Sequence, residues 1–330
     1  MRSPALQIVV CGTFSIAVSA CAPTTATNGD PVHPDLSVQG EMPPAVPLSC
    51  GSNGLLTVHA RFKPSLCAEP LADEFIVDTG SHSAFTLFVS AAAMGELVHA
   101  GAEEEQVWSL REHRVLRVHA DWIRVGGLYQ PALTGHAVVP REERRLAPLL
   151  GLAFFQRWQA FQLDLAANQL RLFSSTAAVP EPAVAVGIRP VTLTLLSPRP
   201  NGYKHLTVAA SLENLPCRAI LDTGFSGLVA MPAALIDRLS LNADDAHVVD
   251  VITPYETSTA RFVEIEENLI LMDVSIPLRG RALVVDDDRP GALAGDEIVL
   301  GMQFLRQFDS LYVDFSMGRV VMVPAGATRP

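Results

Sequence analysis

The segment Phe75-Ile76-Val77-Asp78-Thr79-Gly80-Ser81-His82-Ser83-Ala84-Phe85 puts a carboxylate at the end of an apolar run and follows it at once with Thr and Gly. Asp, Gly and Ser are ordinary turn residues, so one such stretch reads as a strand running into a turn. The triplet returns in Ala219-Ile220-Leu221-Asp222-Thr223-Gly224-Phe225-Ser226-Gly227-Leu228-Val229, 144 residues further on and again behind an apolar run. A turn needs no copy of itself, whereas a reaction that uses two carboxylates does.

Other matches keep the same order along the chain. Leu56-Thr57-Val58 corresponds to Leu206-Thr207-Val208 at an offset of 150, and Val138-Val139 to Val284-Val285 at 146. Leu150-Gly151 corresponds to Leu300-Gly301 and Asp164 to Asp314, both at 150. An internal repeat of this length implies two structural units of one design. The Pro- and Ala-rich stretch Ser174 to Pro190 separates them and reads as a linker. Boundaries follow: signal peptide 1–20, flexible tether 21–50, first lobe 51–175, linker 176–190 and second lobe 191–326.

Within each unit, short apolar or alternating runs such as Leu55 to Phe62, Val115 to Val125 and Phe161 to Phe173 are punctuated by Gly, Pro and Asn, a β-rich pattern. Helical patches are confined to Phe88–Ala100, Gly151–Trp158, Pro232–Leu241 and Gly301–Phe308. With 330 residues, 49% of them apolar, the chain is long enough for two buried cores. The net charge of −11 and the lack of any basic run argue against a nucleic-acid partner, because phosphate binding needs clustered Lys and Arg.

The N-terminus has one positive charge at Arg2, an apolar run from Ala5 to Val18 and then small residues, the form of a secretory signal too short to span a bilayer. Val18-Ser19-Ala20-Cys21 resembles a bacterial lipobox, which implies cleavage before Cys21 and lipidation of its thiol; an ordinary signal cut at an Ala-x-Ala type site is the alternative. By the same analogy the lack of Asp at position 22 points to an outer membrane, and to an envelope lipoprotein facing the periplasm. Cys50, Cys67 and Cys217 remain: the first two enclose a short loop fit for a disulfide in an oxidising compartment, and the odd thiol falls to Cys217 beside a strand. No His or Cys spacing typical of a zinc site occurs, and the acidic runs Glu103–Glu105, Asp244–Asp245 and Asp286–Asp288 lack the alternation of a calcium loop. His82 beside Ser81 suggests a nucleophilic serine, but the surrounding Gly80-Ser81-His82-Ser83-Ala84 is not Gly-x-Ser-x-Gly.

The paired Asp-Thr-Gly triplets, each followed by an apolar-apolar-Gly segment ending at Gly151 or Gly301, resemble the retropepsin and pepsin class of aspartic proteases over about residues 51–325. The resemblance implies an all-β fold: two homologous retropepsin-like β-barrel lobes, each with one or two short helices, in a bilobal pepsin-like monomer. It implies an aspartic endopeptidase acting on a peptide or protein, with Asp78 and Asp222 sharing one water and no cofactor or metal. Thr79 and Thr223 would bond across to the opposite loop, while Gly80 and Gly224 permit the tight turn. The hydroxyl of Ser81 is expected to favour charge on Asp78, Phe225 having no equivalent group. Trp108 and Tyr255 are the candidate cover residues of two hairpin flaps. A non-catalytic lipoprotein that uses the same fold to bind a peptide or partner is the alternative.

Overall fold

The structure, a computed structural model, describes residues 42–51, 53–66, 69–105, 114–140, 146–174, 190–196, 205–241, 247–252, 257–286 and 293–326. The expected signal sequence, Cys21, most of the expected tether and nearly all of the expected linker lie outside these residues. Among the described residues, strand accounts for 57% and helix for 10%, and the strands build two closed six-stranded β-barrels.

Alternation makes the strands. In Leu56–Pro64, Leu56, Val58, Ala60 and Phe62 face inward while His59 and Arg61 face solvent, the period of two that a half-buried strand requires. Leu71–Asp78 differs, because Phe75, Ile76 and Val77 are buried in succession, as expected of a strand covered on both faces. Around the first barrel the order is Leu56–Pro64, Leu71–Asp78, Leu149–Gly151, Phe85–Phe88, Leu128–Val138 and Val115–Val125, and the last pairs back with the first. The second barrel repeats it with Thr207–Leu212, Leu215–Leu221, Glu297–Leu300, Val229–Pro232, Val274–Val285 and Thr257–Leu271, again closed onto its first strand.

The helices Ala91–His99, Leu152–Phe155, Ala233–Arg238 and Met302–Leu305 fall inside the four patches read as helical. Ser90 caps the longest, its hydroxyl accepting the N–H of Ala93.

A third sheet joins the barrels. Its order is Val46–Pro47, Gln169–Phe173, Ala160–Asp164, Phe308–Asp314, Arg319–Pro324, Val191–Thr194, so each half contributes three strands. The central antiparallel contact pairs Ala160 with Asp314, Gln162 with Tyr312 and Asp164 with Ser310. Phe161 packs on Phe155 at 4.8 Å and on Phe315 of the other half at 5.9 Å between ring centroids. The match of Asp164 with Asp314 is explained by turns: each carboxylate accepts the N–H three residues on, from Ala167 at 2.8 Å and Met317 at 3.0 Å.

Two expectations change. The tether does not reach residue 50, since Val46 and Pro47 already pair with Leu170 and Gln169. Cys50 carries a free, exposed thiol 2.8 Å from Arg306 Nη2 instead of a disulfide, its expected partner Cys67 lying outside the described residues. Cys217 is free and buried, and burial pushes its thiol up to about 11. Of the acidic runs, Glu104 pairs with Arg114, Glu103 and Glu105 with Arg117, and Asp286 with Arg261.

Candidate active site

Both Asp-Thr-Gly loops are built the same way. The strand ending at Asp78 runs parallel to Leu149–Gly151, with Val77 opposite Leu150 and Asp78 opposite Gly151. After the turn the chain returns as Phe85–Phe88 on the other side of that short strand. The loop is thereby wrapped around the apolar-apolar-Gly segment: Gly151 N–H donates to Ala84 O at 2.9 Å and Leu152 N–H to Ser81 O at 2.7 Å. The second copy has Gly301 N–H on Leu228 O at 3.1 Å and Met302 N–H on Phe225 O at 2.7 Å. Glycine is required at both places because a Cβ at Gly151 would meet Ser81 O at 2.9 Å, and one at Gly301 would strike the Phe225 ring and the Gly227 carbonyl. Phe225 thus fills the space behind its own loop.

The two loops meet at the junction of the lobes. Thr79 Oγ1 donates to Leu221 O at 2.8 Å and accepts the N–H of Thr223 at 3.0 Å; Thr223 Oγ1 donates to Val77 O at 2.7 Å and accepts the N–H of Thr79 at 3.0 Å. Both threonines are fully buried. Four hydrogen bonds therefore cross the boundary with every buried polar group of the two side chains satisfied, a geometry that fixes one loop against the other.

That register brings the carboxylates together. A Cβ at Gly80 would sit 2.6 Å from Asp222 Oδ1 and closer still to its Cγ, and one at Gly224 would meet Asp78 Oδ2 at 2.8 Å with Cγ closer. Each glycine is the floor under the other loop's carboxylate. Asp78 Oδ1 accepts the N–H groups of Gly80 and Ser81, both at 3.0 Å, and Asp222 Oδ1 accepts that of Gly224 at 2.8 Å.

Loss of hydration raises both carboxyls above the ordinary range. Asp78 is raised well above it, first by burial, then by repulsion from Asp222, and further because its protonated carboxyl donates to Asp222. Asp222 is raised by burial but is drawn back by the N–H groups of Gly224, Phe225 and Gly80 and by that same donated proton. The two carboxyls titrate as a pair, both raised by burial.

The expected bond from the Ser81 hydroxyl to the Asp78 carboxylate is not formed. The Ser81 hydroxyl is 3.2 Å from Ser83 Oγ, which is 3.0 Å from Thr86 Oγ1, so it is committed to its own loop. Only the backbone N–H of Ser81 reaches Asp78. Trp108 and Tyr255 fall outside the described residues. Two features escaped the sequence reading: the carbonyls of Val77 and Leu221 that receive the threonine hydroxyls, which carry no side-chain signature, and an ionisable group formed by His82, His136 and Glu105 from distant parts of the chain. Among the described residues, no three His, Cys, Asp or Glu side chains are grouped to hold a metal ion. Comparison with protein-family models and with curated proteins gives no match for this chain.

Proposed function

We propose that the chain is an aspartic endopeptidase whose two pepsin-like lobes share one hydrolytic site between Asp78 and Asp222. The observation that carries this reading is the reciprocal placement of Gly80 under Asp222 and Gly224 under Asp78, held by the crossed threonines. It brings into one place two carboxylates that cannot both ionise, which supplies an acid and a base together.

In this mechanism the ionised Asp222 takes a proton from a water lying between the carboxylates as that water attacks the peptide carbonyl. Asp78 donates its proton to the carbonyl oxygen in the same step. The tetrahedral intermediate collapses when the proton now on Asp222 passes to the leaving nitrogen and Asp78 recovers its own from the hydroxyl. Water is consumed, one C–N bond breaks and no covalent enzyme intermediate forms. The same reading includes export, lipid attachment at Cys21 and a peptide or protein substrate presented to a monomer at a membrane surface; the lipobox-like Val18-Ser19-Ala20-Cys21 supports it.

The test is hydrolysis of a peptide library by the full chain beside Asp78→Asn and Asp222→Asn. Each variant should fall to background while keeping its far-UV spectrum. Substantial activity in either one, or none in the parent at any pH, would sink the shared-site reading and leave the fold as a binding module.

A further inference from the structure

The two carboxylate loops differ in what lies behind them. At the repeat offset of 144, Ser81, Ser83 and Thr86 of the first loop stand where the second has Phe225, Gly227 and Ala230. In the first, three hydroxyls form a chain: Ser81 Oγ is 3.2 Å from Ser83 Oγ, and Ser83 Oγ is 3.0 Å from Thr86 Oγ1. Ser83 and Thr86 are buried, and Thr86 is seated in the strand Phe85–Phe88 with Leu149 and His136 as its register partners. In the second, the Phe225 ring takes that place: a Cβ at Gly227 would strike its Cζ, and one at Gly301 its Cδ1. The side chains of Ser81 and Phe225 turn the same way, since a Cβ at Gly151, the counterpart of Gly301, would lie 3.0 Å from Ser81 Oγ. Both point behind their loop, toward the apolar-apolar-Gly segment.

The backbone of Ser81 is pinned beside Asp78. Its N–H donates to Asp78 Oδ1 at 3.0 Å, and its carbonyl accepts the N–H of Leu152 at 2.7 Å. The direction of the hydroxyl is therefore left to χ1, and two of the three staggered positions are gauche to the very nitrogen that meets Asp78. We infer that Ser83 is a positioning residue: seated by Thr86, it holds the Ser81 hydroxyl away from Asp78, so that the loop offers this carboxyl backbone N–H groups only. A hydroxyl donated to the ionised form would stabilise the charge and lower the pH at which the pair first ionises. The two loops thus reach one end by different means, a captured hydroxyl in the first and no hydroxyl in the second. As an effect on rate, this rests on reading the dyad as the hydrolytic centre, where one carboxyl must be ionised and the other protonated, so that the acidic limb of the pH profile follows the first ionisation. The titratable groups around the loop are Asp222 opposite, His82 within it and, against His82, the ring of His136 at 5.8 Å, whose Nε2 is 3.5 Å from Glu105. Arg117 binds Glu105, and His205 of the second half also acts on His82. The adjoining strands Leu149–Gly151 and Phe85–Phe88 carry no charged side chain.

The test uses the full chain with Ser83→Ala, Ser81→Ala and the double variant. Two midpoints are read: the acidic limb of kcat/KM on a peptide, and the first ionisation of the pair from the 13C carboxyl resonances of labelled Asp. Ser83→Ala should lower both by about half a pH unit to one unit as the released hydroxyl turns to Asp78. Ser81→Ala should leave both in place, and so should the double variant, because the shift needs the Ser81 hydroxyl. Ser83→Gly, the residue that the second loop carries, gives the same shift by a second substitution where Ser83→Ala does not fold. Midpoints unmoved in both Ser83 variants, a shift in Ser81→Ala alone, or an equal shift in the double variant overturns the inference. If the carboxyl midpoint moves as expected and the parent cleaves no peptide at any pH, the role of Ser83 stands and the hydrolytic reading fails.

Discussion

The hydroxyl oxygens of Thr79 and Thr223 lie 3.3 Å apart across the lobe boundary, each also joined to the backbone of the opposite strand. Replacing either residue by Val keeps the shape and deletes the hydroxyl, stranding a buried N–H and a buried carbonyl that both belong to the opposite lobe. The expected cost is about 2–4 kcal/mol by urea denaturation, at roughly 1–3 kcal/mol for a buried group left without its partner. Hydrolysis should fall with it. Thr79→Ser restores the hydroxyl and should recover most of both.

Gly80→Ala inserts a methyl group into the Asp222 carboxylate. The chain cannot yield easily, since Gly80 N–H is bound to Asp78 and Thr79 is pinned to Leu221 O. A stability loss of about 1–3 kcal/mol is expected from overpacking, with hydrolysis reduced far more than stability. A variant with parental kcat would show that the carboxylates are not held as described.

Asp78→Asn should be more stable than the parent at neutral pH. A carboxyl raised in the folded state binds its proton more tightly there than in the unfolded chain. Its stabilising contribution is therefore greatest below the ordinary value of 3.8 and declines as pH rises through the raised folded value. Above that value the parent carries the full penalty of buried, mutually repelling carboxylates, and the amide does not. Thermal unfolding at pH 7 and at about pH 3 checks this: the advantage of the variant should shrink toward zero in acid.

The first barrel retains an apolar cavity of about 30 Å³ lined by Phe62, Leu71, Leu87, Val89, Ala93 and Leu97 among others. It lies toward the Leu71 end of the strand whose other end is Asp78. Val89→Ile should fill part of it and add roughly 0.8 kcal/mol, the value of one buried methylene. Hydrolysis should change little, because none of Asp78, Thr79 and Gly80 lines the cavity. A loss of stability would mean that the cavity cannot take a longer side chain.

Much of this architecture could be read from local pattern. The duplicated Asp-Thr-Gly, the alternation of Leu56–Pro64 and the four helical patches are properties of neighbours in sequence, where periodicity and turn chemistry operate. Barrel closure was not legible: the pairing of Leu56–Pro64 with Val115–Val125 joins strands with four other structural segments between them. The same is true of the shared sheet, whose edge strand Val46–Pro47 came from a stretch too rich in Pro to suggest pairing. At the site, residue types disclosed the carboxylates but not the groups that bond to them. The direction of the Ser81 hydroxyl depends on Ser83 and Thr86, and the charge on Asp222 is favoured by backbone N–H groups that every residue except proline possesses.

In the shared sheet, Ala160 faces Asp314 while Asp164 faces Ser310, and at the repeat offset of 150 these are the same pairing read in either direction. Gln162 and Tyr312, equivalent positions in the two halves, stand opposite one another at the centre. The joining strand is thus complementary to its own counterpart, as in an isologous dimer contact. A half released from its partner would present that strand as an open edge, and the surface that best satisfies it is the same strand of another copy. The covalent connection fixes the stoichiometry of an encounter that either half is shaped to make with itself, and it frees the halves to diverge: Ser81 in one loop and Phe225 in the other already give the two carboxyls different neighbours.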